Sequence, residues 1–126
     1  MLRMAHGEDE IEIRFYHEIY EPYEIEGITG INVDEARRCT RAIIRLTSCT
    51  KNGDNTHTSH GTSICHPEDN FCRKIGRKRA LQEALFSLSR QLGMYGKNND
   101  GIGMKPQQLK KLRTAIWNEY ITRCHI

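Results

Sequence analysis

With 126 residues, 37% of them hydrophobic, the chain is long enough for one modest core and too short for two, so residues 1–126 read as a single domain. The formal net charge of +3 hides a split: residues 1–35 hold ten acidic and two basic side chains, a net −8, and the other 91 hold seventeen basic and six acidic ones, a net +11. No run approaches the roughly 20 apolar residues of a membrane-spanning helix, and the start Met-Leu-Arg-Met-Ala-His-Gly lacks the apolar centre of a secretory signal, so a soluble intracellular protein is expected.

The first predicted element is a half-buried strand over about residues 10–20, with Ile11, Ile13, Phe15 and Ile19 on one side and Glu12, Arg14, Tyr16, Glu18 and Tyr20 on the other. Pro22, Gly27 and Gly30 then break the chain, and Asn32 with Asp34 and Glu35 could start a helix. Local cues conflict over residues 33–46. Ala36, Cys39, Ile43 and Leu46 fit helical spacing, whereas Thr40-Arg-Ala-Ile-Ile-Arg-Leu-Thr is rich in β-branched residues and leads into the turn-forming Lys51-Asn-Gly-Asp-Asn. The hairpin chemistry favours a strand over about 38–49. Residues 56–65 become its return strand despite poor apolar alternation.

Pro67 suits a first helical position, and Leu81, Leu85, Leu88 and Leu92 repeat at helical spacing, predicting one amphipathic helix over about 67–92 that Gly93 ends. Residues 93–105, with four glycines and two adjacent asparagines, read as a surface connector or a lid over a site. Pro106 opens a second helix to about 123, striped by Leu109, Leu112, Ile116 and Tyr120. The expected architecture is α+β: a small antiparallel sheet, made of the N-terminal strand and the central hairpin, packed against a C-terminal two-helix hairpin.

Chemistry concentrates in residues 65–81. Glu68, Asp69 and Asn70 are capping and acidic residues suited to the positive end of a helix. Five cations follow: Arg73 and Arg77 on one face, Lys74 and Lys78 on the neighbouring one, and Arg79. Gly76 sits among them, where alanine would favour the helix by about 1 kcal/mol, which suggests close approach of a ligand or another helix. Phe71 beside these cations could stack on a base, or be a core residue one turn before Ile75. A solvated basic face remains the plain alternative.

Other chemistries find less support. The five cysteines, Cys39, Cys49, Cys65, Cys72 and Cys124, are odd in number and scattered, a usage that fits reduced thiols. Cys49, His57, His60, Cys65, His66 and Cys72 fall within 24 residues but without zinc-site spacing, so no metal is expected. Glu68 and Asp69 have no nucleophile at a recognisable spacing, Cys65 and His66 are neighbours that a strand would point apart, and no phosphate-cradling glycine loop is present. The chain reads as a binder with neither cofactor nor catalysis.

The run Cys-His-Pro-Glu-Asp-Asn-Phe-Cys-Arg-Lys-Ile-Gly-Arg-Lys at 65–78, preceded by Thr-Arg-Ala-Ile-Ile-Arg-Leu at 40–46, resembles the phage-encoded Thoeris anti-defence protein 1 family, most clearly from about residue 38 to 90. The resemblance implies a sponge that sequesters, without degrading, a cyclic ADP-ribose isomer made by TIR-domain enzymes, held at a subunit interface in the cytoplasm of an infected bacterium. Some members also take up cyclic trinucleotides at a separate site. Carried onto this chain, it implies that Phe71 stacks the adenine and that Arg73, Lys74 and Arg77 hold the pyrophosphate or ribose oxygens. Asn70 would read a ribose hydroxyl, and Arg38 and Thr40 would contribute less. It also implies a homo-oligomer, a dimer or an assembly of dimers, a state that the split charge favours independently. The competing expectation is a small basic regulator that binds nucleic acid.

Overall fold

The computed structural model describes residues 1–20, 37–50, 53–65, 73–98 and 101–124. Four strands, β1 (Leu2–His6), β2 (Asp9–Tyr20), β3 (Arg37–Thr50) and β4 (Gly53–Ile64), form an antiparallel sheet in chain order, followed by helices α1 (Arg73–Tyr95) and α2 (Pro106–Cys124). This is the expected α+β arrangement of a sheet packed against helices. Of the ambiguous segment 33–46, residues 37–46 are strand, as the β-branched run favours; the candidate helix start at 32–36 and the expected first turns of the long helix at 67–72 lie outside the described residues.

Alternation makes one sheet face apolar. Leu2 of β1, Ile11 and Ile13 of β2, and Ala42, Ile44 and Leu46 of β3 are buried against Leu81, Leu85, Leu88 and Leu92 of α1 and against Leu112, Ile116 and Tyr120 of α2. Phe15 joins this core through Tyr120, their ring centres 5.7 Å apart, and Trp117 meets Tyr120 edge-on at 5.8 Å. On the other face Glu12 pairs with Arg14 at 2.7 Å and Glu18 with Arg41 at 3.4 Å. Part of the acidic excess of the first 35 residues is therefore balanced within the chain.

The polar composition of β4 has a physical reason. Gly61 lies under α1 so closely that a Cβ there would overlap the backbone carbonyl of Ala80 and the backbone nitrogen of Ala84. A strand that meets a helix backbone to backbone needs small residues facing it, and Ser59, Gly61, Ala80 and Ala84 supply them.

Three features differ from the sequence-based expectation. β1 was not anticipated; it is a short edge strand joined to β2 through Gly7 and Glu8, with Gly7 at φ 62°, a two-residue hairpin turn. α1 passes Gly93 and runs to Tyr95, because Gly96, at φ 71°, takes the left-handed C-terminal position and donates its N–H to the Leu92 carbonyl at 2.9 Å. The connector is fastened where it leaves α1. The Lys97 ammonium lies 2.7 Å from the buried Asp9 carboxylate, and its carbonyl accepts from His57 Nε2 at 2.9 Å. These bonds are some 33 Å of helix away from Arg73, so this part of the connector covers no site at the start of α1.

Candidate anion-binding site

The first turns of α1 lie over the end of the sheet where β2 and β3 present polar residues. Strand pairing sets His17 opposite Thr40, and both occupy the helix-facing parity that Ile13, Phe15, Ala42 and Ile44 hold further along. Thr40 is fully buried, and its Oγ1 lies 3.1 Å from His17 Nδ1. Gly76 is buried directly above: a Cβ at that position would overlap Thr40 Oγ1. The bare backbone at Gly76 thus serves the seating of α1 on Thr40, a strand residue, where the sequence suggests a ligand or another helix.

That seating brings charge to the site. Arg73 is exposed and Arg77 half-buried, one turn apart on the helix face beside Gly76. Both act on His17, whose proton affinity is lowered first by burial and then by the charges of Arg73 and Arg77. The buried Nε of Arg77 has no acceptor among the described residues. Arg38 is exposed and stands on the same strand parity as Thr40, two residues before it; its carbonyl accepts from the Cys65 N–H at 2.8 Å as the chain leaves β4. The charges of Arg73 and Arg77, which both lower the proton affinity of His17, make this end of the sheet electropositive and suited to phosphate oxygens, which arginine binds in a two-pronged fashion.

Of the residues proposed from sequence, Arg73, Arg77, Thr40 and Arg38 gather at this end of the sheet, while Lys74 is exposed on the adjoining face of α1. Thr40 lies beneath Gly76, so its role is to hold the imidazole and support the helix. Asn70 and Phe71 lie outside the described residues, as do His66, Glu68, Asp69 and Cys72. Ile75, the core neighbour considered for Phe71, is 52% exposed. His17 was missed, although a polar residue at an apolar parity of a half-buried strand was a readable cue.

Elsewhere, a groove of about 690 Å³ lies five residues along β2 from His17, lined by Arg3, Arg45 and Arg123 but also by Glu10 and Glu12. Its carboxylates make it a poorer place for a polyanion. His57 and His60 alternate to opposite faces of β4, and among the described residues no group of three or more His, Cys, Asp or Glu side chains is placed to hold a metal. No helix among the described residues is long and apolar enough to cross a membrane. Comparison with protein-family models, with curated proteins and with solved structures finds no match in any of the three, so the family resemblance rests on its motif residues alone.

Proposed function

We propose that the protein is a non-catalytic binder that sequesters a compact, phosphate-bearing cyclic nucleotide messenger. The ligand is a cyclic ADP-ribose isomer made by TIR-domain enzymes, with cyclic trinucleotides as a further class, and its removal blunts anti-phage defence in the host cytoplasm. The observation that supports this reading is the Arg77 Nε, buried and without an acceptor among the described residues, one turn from Arg73 where Gly76 seats α1 on Thr40. An orphaned guanidinium nitrogen is costly unless an acceptor reaches it, and a phosphate oxygen is such an acceptor. The motif resemblance names the messenger, and a homo-oligomer encloses it.

A sponge must hold its ligand below the concentration at which the signal acts, which calls for a nanomolar constant, about 12 kcal/mol. Calorimetric titration with the cyclic ADP-ribose isomer, followed by chromatography of the ligand released on heating, tests this directly. Tight binding and release of intact messenger are expected; a hydrolysed product, or no binding, overturns the proposal. Arg77→Ala is expected to weaken binding by about tenfold or more, the scale of a lost charge-assisted hydrogen bond, with cooperative unfolding retained.

The second reading, a nucleic-acid-binding regulator, draws on the exposed cations Lys74, Lys78 and Arg79 of α1. It predicts affinity that falls by about 10³-fold or more between about 50 and about 200 mM salt for six phosphate contacts.

A further inference from the structure

β4 is an edge strand of the described sheet, and one bond fixes which way its main-chain groups point. The Cys65 N–H donates to the Arg38 carbonyl, so in the antiparallel ladder the odd-numbered residues of β4 bond to β3 and the even-numbered ones turn their N–H and C=O outward. Side chains of α1 meet two of the outward groups: the Thr62 N–H donates to Glu83 Oε2 at 3.3 Å, and the Thr58 carbonyl accepts from Gln91 Nε2 at 3.2 Å. Between them, the main-chain N–H and C=O of His60 have no partner among the described residues. A groove of about 430 Å³ opens at this point between β4 and the flank of α1.

The α1 wall of that groove is apolar around one charge. Phe86 is 65% exposed and Met94 59%, and the Arg90 guanidinium between them lies 6.0 Å from the centre of the Phe86 ring, with no carboxylate partner among the described residues. These side chains follow one another at successive turns of α1, a rise of about 6 Å per step, close to the roughly 6.8 Å between alternate side chains of a strand. We propose that this edge takes an extended peptide segment of another protein. The segment adds to β4 as a further strand at His60 and sets an acidic side chain on Arg90, with an apolar one to either side on Phe86 and Met94. Its own carbonyl and N–H take over the bonds that Glu83 and Gln91 make to Thr62 and Thr58. A second copy paired antiparallel through this edge is a poorer occupant. Paired strands lie about 4.8 Å apart and packed helices about 8–10 Å, and α1 rests directly on β4 where Gly61 meets Ala80 and Ala84, so the two copies of α1 would collide. The surface involves neither Arg73 nor Arg77 and stands independently of the phosphate reading.

The test is an NMR titration of the full chain with the end-capped peptide Thr-Val-Thr-Glu-Thr-Val-Thr, combined with hydrogen exchange of the backbone amides. Saturable shifts are expected at Thr58, His60 and Thr62 and along α1 from Glu83 to Met94, with a dissociation constant below about 1 mM. The outward amides of Thr58 and His60 are expected to exchange about tenfold more slowly, or slower still, at saturation. Lysine in place of the peptide's glutamate is expected to weaken binding by about fivefold or more, and Arg90→Glu to reverse that preference, an exchange of partners that a loss of folding could not produce. No saturable shift up to about 1 mM, or shifts without slower exchange at His60, overturns the proposal. A His60 amide protected in the protein alone, and more so as protein concentration rises, assigns the edge to a second copy and overturns it as well.

Discussion

Thr40 is constrained from two directions: its hydroxyl holds the His17 ring, and Gly76 rests on it. Gly76→Ala should therefore destabilise the fold by about 1–3 kcal/mol, the cost of overpacking, even though alanine favours a helix interior by about 1 kcal/mol. Urea unfolding checks the sign, and a stabilised variant would mean that α1 is not seated on Thr40. The histidine gives a pH dependence whose sign is fixed. Its proton affinity is lower in the folded chain than in the unfolded one, so the unfolded state binds the proton more readily. Stability from this group is full above the ordinary histidine pKa of about 6.5 and declines as pH falls through it toward the lowered folded value. Urea midpoints at about pH 7.5 and about pH 5.5 are expected to drop more in the wild type than in His17→Gln.

Among the elements, the contact of β4 with α1 sets the tightest tolerance. Gly61→Ala places a methyl group into helix backbone, which cannot move aside as a side-chain end can. A loss of about 3 kcal/mol or more is expected, measured as a shift of the urea midpoint or as failure to fold. The same contact explains why β4 was legible only through its neighbour. Its Thr, Ser and Gly composition lacks alternation, whereas the β-branched run of β3 and the turn chemistry after it announced a hairpin whose return strand had to lie there. β1 is harder to read because five residues including Arg3 and Ala5 carry little pattern of their own, and the strand exists by pairing with β2. The helices were readable from their leucine stripes. The seat of Arg73 and Arg77 over His17 and Thr40 was not, since it joins β2, β3 and α1 through sheet register, which one-dimensional spacing does not encode.

For the whole molecule, in-chain pairs such as Glu18 with Arg41 and Asp9 with Lys97 show the charge split partly resolved inside one copy. The cations of α1 that remain exposed act on what the protein meets in solution. If a two-phosphate ligand is the natural one, affinity should change little between about 50 and about 200 mM salt, because few counterions are released. A slope equivalent to six or more contacts would assign the molecule to nucleic acid instead.

The close fit of Gly61 beneath Ala80 and Ala84 also bears on how long a ligand stays. A helix held to a sheet by its main chain has no side-chain layer through which to slide, so the backbone that carries the arginines one to two turns before Ala80 is fixed when the chain folds. For a ligand bound at the proposed site, the backbone part of the ordering entropy is then lost before it arrives, and that gain is expected as a slower departure rather than a faster encounter. If the protein is the trap proposed above, its performance is limited by residence time, and the absence of a methyl group on a strand would be one source of that time.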